Sequence, residues 1–138
     1  MEQLAVEIVG LCREYGECRV EVERMEEVRR VKNALESVCV VARRKLDISD
    51  PALLLALLDA YEVTRDEGML QEVLDVVGRN LDRLAVSAES VKLLACCYYY
   101  VEEEECVERA GRMLEELRKM GRGEEELADV ETILEELT

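Results

Sequence analysis

The sequence predicts an all-α fold of about seven helices arranged in antiparallel hairpins. Three observations predict it: apolar residues recur at helical spacing in every segment, capping signals separate the segments, and residues 50–63 are apolar on nearly every side. A helix that is apolar all round is usually buried between neighbours, and this one is too short to span a membrane. We therefore expect a soluble protein of stacked helical hairpins, or an irregular helical bundle, with this helix at its centre.

The first hairpin is predicted from residues 2–15 and 18–46. Gly16 suits the left-handed position that commonly follows a helix. The second helix is long and carries a narrow, coiled-coil-like seam of apolar residues at spacings of three and four. Val20 and Val22 alternate with charged residues, which leaves a short extended stub at residues 19–23 as the alternative for its start.

Capping residues predict the next three helices. Asp50 suits an N-cap, and Pro51 at the first helical position loses no hydrogen bond, so a third helix runs to about Thr64. Asp66 or Thr64 caps a fourth helix, and Ser87 caps a fifth that is again largely apolar. The fourth helix has an apolar stripe of Met69, Leu70, Val73, Val77, Leu81 and Leu84.

Two more helices complete the prediction. The sixth starts near the acidic residues 102–105, which suit a helix N-terminus, and ends at Gly121. The seventh, residues 124–137, is expected to bury Leu127, Val130, Ile133, Leu134 and Leu137. We predict one domain over residues 1–138, in which residues 1–48 form an N-terminal hairpin and residues 49–138 form stacked hairpins.

The stacking is suggested by an internal repeat with a shift of 37 residues. When the sequence is aligned with itself at this shift, one capped and very apolar helix aligns with a second helix of the same kind. The amphipathic helix that follows the first aligns with the amphipathic helix that follows the second. In the first helix of each unit it matches Leu54, Leu57 and Tyr61 with Val91, Leu94 and Tyr98.

These positions resemble the first-helix motif of the tetratricopeptide-like repeat family. The resemblance covers about residues 50–120 and implies a right-handed α-solenoid whose first helices line a concave groove. It further implies that the groove binds a protein partner through side chains of those helices, and the residues we expect there are Asp59, Glu62, Glu89, Lys92, Tyr99 and Tyr100.

The charge of the chain argues against nucleic acid as the main partner. The net charge is −15, with 37% charged residues, whereas phosphate binding needs clustered cations. Residues 1–50 hold nine basic and eleven acidic residues, and residues 51–138 hold nine and twenty-two. We therefore expect a basic or amphipathic protein segment as partner. The basic clusters at residues 29–32 and 43–45 are interpreted as solvated helix faces, or as a contact for an acidic partner such as another copy.

The absence of histidine removes much catalytic chemistry. Without histidine the chain has no Ser-His-Asp triad, no Cys-His pair and no histidine-ligated zinc, and no phosphate-binding glycine loop is present. We predict no enzyme and no cofactor. The N-terminal residues lack the cationic start of a signal peptide, which predicts a cytoplasmic protein. The scarcity of Asn and Gln beside abundant Glu and Arg indicates a thermophilic source.

Six cysteines are many for a cytoplasmic chain of this length, although thermophile interiors tolerate disulfides. Cys97 and Cys106 flank one predicted hairpin turn, and Cys12 and Cys18 flank another. Bridges Cys97–Cys106 and Cys12–Cys18 are therefore two possible staples, and buried free thiols are the alternative.

The sequence favours a non-catalytic protein-interaction module or assembly subunit. The second hypothesis is a homo-oligomeric structural protein, such as a homodimer, built through the helix at residues 18–46. A thiol-based redox or metal-binding protein is the third.

Overall fold

The computed structural model describes residues 2–19, 24–121 and 124–137. Within these ranges 85% of the residues are helical and none forms a strand, so the predicted all-α class is confirmed. The predicted stub at residues 19–23 falls almost entirely outside them. The α-helices are α1 Glu2–Cys18, α2 Met25–Arg43, α3 Pro51–Thr64, α4 Glu67–Arg79, α5 Ala88–Val101, α6 Glu104–Lys119 and α7 Glu124–Leu137. None of these described helices combines the length and apolar character needed to cross a membrane.

The first two helices differ from their predicted bounds. Helix α1 continues through Gly16 to Cys18, which is buried. A glycine inside a helix costs only about 0.5–1 kcal/mol relative to alanine, so local propensity does not end the helix here. Helix α2 begins at Met25, just after Arg24, whose Nε and Nη2 donate to the two carboxylate oxygens of Glu27 at 2.7 Å.

The chain divides into two compact units, residues 1–75 and 76–138. In the first unit α1 packs against α2 and α3, and α2 packs against α3. In the second, α5 packs against α6 and α7, and α6 packs against α7. The division falls inside α4, and α3 packs with α1 and α2. The predicted change from an N-terminal hairpin to stacked hairpins at residues 48 and 49 stays a prediction. That residues 1–138 act as a single domain stays a prediction.

Helix α3 has the capping predicted for it. The Asp50 carboxylate accepts from the Leu53 amide at 3.3 Å, and Pro51 opens the helix. At the other end Arg65 takes the left-handed conformation, with φ of 55°, and its amide donates to the Tyr61 carbonyl at 2.8 Å. The residues of α3 buried in the core are Leu53, Leu54, Ala56, Leu57, Leu58, Ala60 and Tyr61.

Helix α5 repeats this geometry with the 37-residue shift seen in the sequence. The Ser87 hydroxyl accepts from the Ser90 amide at 3.1 Å. Glu102 ends the helix in the left-handed conformation, with φ of 52°, and its amide donates to the Tyr98 carbonyl at 2.7 Å. Helix α6 starts 37 residues after α4 as well. The local structure of the two hairpins is thus repeated, while their stacking into a solenoid stays a prediction.

The last hairpin follows the prediction closely. Gly121 lies just after α6 with φ of +71°, and α7 spans residues 124–137. Arg118 Nε donates to Glu131 Oε1 at 2.8 Å, which ties α6 to α7. Leu134 is buried and Ile133 half-buried. The predicted burial of Leu127, Val130 and Leu137 concerns side chains outside the described part.

Candidate functional site

One side of α5 stays accessible although seven of its fourteen residues are buried. The accessible stripe contains Glu89, Lys92, Cys96 and Tyr99, which are three or four residues apart and therefore share one helical face. Glu89 and Tyr99 are exposed, and Lys92 and Cys96 are half-buried. Three predicted partner-binding residues of the second unit thus lie together on this stripe, and their binding role stays a prediction.

The stripe ends in a surface that we call the hairpin-end patch: Tyr99, Tyr100, Val101 and residues 102–105. The Tyr99 side chain is 69% exposed, a large fraction for an aromatic residue. Its ring packs edge-on against Tyr100, with centroids 5.2 Å apart and an interplanar angle of 85°. Val101 and residues 102–105 are all exposed. Aromatic and aliphatic surface is therefore presented directly beside four carboxylates.

The first hairpin also has a tyrosine, Tyr61, which the repeat matches with Tyr98 and not with Tyr99, and its contacts are internal. Tyr61 is buried, its hydroxyl donates to Glu67 at 2.6 Å, and the Arg65 guanidinium lies over its ring at 5.6 Å. Asp59 and Glu62, the predicted binding residues of this unit, are exposed on α3. Partial burial of the carboxyl group, and then the charge of Glu62, raise the pKa of Asp59. A groove that joins these residues to the α5 stripe stays a prediction.

All six cysteines are free thiols, and neither predicted bridge is present. The Cys12–Cys18 pairing is wrong because both residues lie on the continuous helix α1. Six residues of α-helix separate two Cα atoms by about 9 Å along the axis, beyond the reach of a disulfide. Cys97 and Cys106 are buried on the packed helices α5 and α6, where burial raises the pKa of both thiols.

The thiols of the first unit are similarly unreactive. Burial, and then the charge of Asp59, raise the pKa of Cys12 to about 11. Burial and then Cys12 raise the pKa of Cys39 to about 11, so Cys39 has Cys12 as a neighbour across α1 and α2. The sequence does not reveal this neighbour because the two residues are far apart along the chain. No group of three metal-ligating side chains occurs among the described residues.

Arg43 forms an ion cluster with two carboxylates of the first unit. Its Nε and Nη2 donate to the two Glu72 carboxylate oxygens at 3.0 and 2.6 Å, and its Nη1 donates to Asp66 at 2.9 Å. The hydrogen bonds from Arg43 lower the pKa of Glu72. Asp66 also caps α4, because its other oxygen accepts from the Met69 amide at 3.2 Å. One member of the basic cluster at residues 43–45 is therefore committed to internal contacts.

The outer side of α2 carries a second accessible surface, which we call the α2 face: Ser37, Val40, Val41, Arg44 and Lys45. Ser37, Val40 and Val41 lie on the exposed side of α2, and Arg44 and Lys45 directly follow the helix. All five residues are exposed, Val40 by 52% and Val41 by 44%. A cavity of about 330 Å³ opens beside Val40, and the other residues that line it are Glu36, Cys39, Arg43, Thr64, Asp66 and Met69. The sequence signal is a pair of valines outside the apolar seam, but the cavity depends on residues far along the chain.

Comparisons with protein-family models, with curated proteins and with solved structures found no match for this chain. The candidate surfaces therefore have to be interpreted from their own chemistry.

Proposed function

We propose that this protein is a non-catalytic binding module whose hairpin-end patch takes a basic or amphipathic protein segment. The observation that carries the proposal is the exposed Tyr99 ring beside the carboxylates of residues 102–105. An exposed tyrosine offers a large rigid contact area, and its face attracts lysine and arginine side chains. Neighbouring carboxylates steer such cations towards the ring.

The thiol chemistry supports a binding role over a redox or metal role. Thiolates are the reactive and metal-ligating form of cysteine. Since burial raises the pKa of Cys12, Cys39, Cys97 and Cys106, these thiols stay protonated at neutral pH. The resemblance to tetratricopeptide-like repeats, which implies a protein-binding groove, agrees with the same proposal.

A labelled peptide rich in lysine and arginine tests the proposal against a glutamate-rich peptide of equal length. We expect the parent protein to bind only the cationic peptide, and binding to weaken as salt rises. Replacing the aromatic anchor by Tyr99→Ala should lower the affinity about tenfold, mainly through faster dissociation, because hot-spot aromatic residues act on residence time. Met120→Ala is the matched control, since Met120 is also exposed in the second unit, by 60%.

Nucleic-acid binding is the result that would contradict this proposal. The relevant observation is tight RNA or DNA binding in physiological salt that is lost when Arg44 and Lys45 are replaced by glutamine. Arg43 is left intact in this variant because it holds Glu72 and Asp66.

Self-assembly through the helix predicted at residues 18–46 is a second candidate function. It is favoured by the exposed valines of the α2 face.

A further inference from the structure

The α2 face and the hairpin-end patch are complementary in layout and opposite in charge. On the α2 face, two exposed valines are followed one turn later by Arg44 and Lys45. On the hairpin-end patch, exposed tyrosine and valine side chains are followed by the four carboxylates of residues 102–105. Both surfaces are exposed in the single chain, so each is available to a second molecule.

We propose that the occupant of the α2 face is a second copy of this chain, docked through its hairpin-end patch. Tyr99 of one copy enters the cavity beside Val40 of the next, and residues 102–105 lie against Arg44 and Lys45. This inference rests on the proposed function, in which the hairpin-end patch binds a cationic protein segment. Here that segment is the α2 face of a second copy.

The cavity suits a tyrosine side chain. Cys39, Val40 and Met69 supply the apolar part of its lining, and the Thr64 hydroxyl is a partner for the phenol oxygen. The rest of the lining is charged and consists of Glu36, Arg43 and Asp66. Its volume of about 330 Å³ admits one aromatic side chain. Interface anchors are typically aromatic residues that fill such pockets. The internal pair of Tyr61 and Glu67 shows that this chain already satisfies a tyrosine hydroxyl with a polar neighbour.

The net charge explains why such a contact would be weak and dependent on concentration. Two copies of charge −15 repel each other, which keeps proteins apart at low salt. At physiological ionic strength the Debye length is about 8 Å, so the long-range repulsion is screened while charges in direct contact still attract. The two contacting surfaces are different, so in each contact one copy contributes its hairpin-end patch and the other contributes its α2 face.

Two single variants and their mixture test the proposal by solution mass across a concentration series at physiological salt. We expect the average mass of the parent to rise above that of a monomer as the concentration increases. Val40→Glu disables the α2 face and Tyr99→Ala disables the hairpin-end patch, so each variant alone should associate at least about tenfold more weakly. An equimolar mixture should form a dimer and nothing larger, because one intact contact remains between the two variants.

Matched controls lie on the same units. Met25, which is 63% exposed, lies at the opposite end of α2, and Met120 lies after α6. Met25→Glu and Met120→Ala should assemble as the parent does. All these positions are exposed, so unchanged melting temperatures are expected and separate lost contacts from lost folding.

Three results would overturn the proposal. The first is a parent that remains monomeric up to millimolar concentration. The second is a Tyr99→Ala variant that assembles like the parent, which would indicate a symmetric contact between two α2 faces. The third is a variant mixture that stays monomeric. The peptide assay distinguishes these failures from failure of the proposed function. A parent that stays monomeric but still binds the cationic peptide contradicts the second copy as partner and agrees with the proposed binding function.

Discussion

Leu57 is the residue on which the first unit most clearly depends. It is fully buried in α3, between helices that contribute apolar neighbours. Burying a charge there without a partner is among the few mechanisms that cost several kcal/mol in a single substitution.

We expect Leu57→Asp to lower the free energy of unfolding by roughly 3–5 kcal/mol, measured by urea denaturation followed by circular dichroism. The control is Val6→Asp, which adds the same charge at a side chain that is 70% exposed in the same unit. That variant should differ from the parent by less than about 0.5 kcal/mol. Equal midpoints for the two variants would show that α3 is not the core of its unit.

The thiols give a second prediction at this scale. The pKa of Cys12 is raised from 9.0 to about 11. At a pH below the pKa, raising the pKa by one lowers the fraction of thiolate tenfold. Alkylation of Cys12 at pH 8 should therefore be roughly a hundredfold slower in the native protein than in urea, as followed by peptide mass spectrometry.

The same shift has a consequence for stability. The folded state holds the Cys12 proton more tightly than the unfolded state, so the contribution to stability is complete below pH 9 and is lost as the pH rises towards 11. Alkylation of native Cys12 at the unfolded rate would contradict both expectations.

The helices themselves show which features a sequence reveals and which it does not. Asp50, Pro51 and Ser87 predict the starts of α3 and α5 because a cap depends on contacts within one turn. The ends are less visible: Arg65 and Glu102 occupy left-handed positions where glycine would be the expected signal.

The candidate surfaces show the same contrast. The exposure of Tyr99 follows from helical spacing, but the neighbours of Arg43 and Cys39 depend on tertiary packing, which no local pattern contains.

The left-handed helix ends allow a direct test. A non-glycine residue in this conformation costs about 1–2 kcal/mol, while glycine adds about 0.5–1 kcal/mol of unfolded-state entropy. Glu102→Gly should therefore raise the free energy of unfolding by about 0.5–1 kcal/mol in thermal or urea melts. Glu103→Gly is the control, because Glu103 has an ordinary φ of −81° and no strain to relieve. If both variants lose stability alike, the left-handed geometry at Glu102 is wrong.

At the scale of the whole molecule, the excess of acid is shared by both compact units. Residues 1–75 hold ten basic and seventeen acidic residues, and residues 76–138 hold eight and sixteen. The imbalance between residues 1–50 and the rest thus depends on where the chain is divided. The acidic side chains within each unit repel one another, and this repulsion destabilises the compact folded state. The same net charge also repels other anions.

Salt should therefore have opposite effects on stability and on binding. Raising the ionic strength from about 0.01 to about 0.15 M shortens the Debye length from about 30 to about 8 Å. We expect the melting temperature to rise, by roughly 3–5 °C for each kcal/mol of repulsion relieved, while the affinity for the cationic peptide falls. Scanning calorimetry measures the first effect, and a falling melting temperature would show that favourable ion pairs such as Arg43–Glu72 outweigh the repulsion.

The matching backbone paths of the two hairpins have a practical meaning for redesign. The turns after Tyr61 and Tyr98 share a left-handed residue and the same backbone hydrogen bond, so the first turn is a template for redesign of the second. Writing arginine and aspartate in place of Glu102 and Glu103 would transfer the first turn to the second hairpin and replace two carboxylates with a mixed pair. Such a graft would test whether the composition of this turn determines binding of the cationic peptide, because the left-handed turn itself is shared by both hairpins.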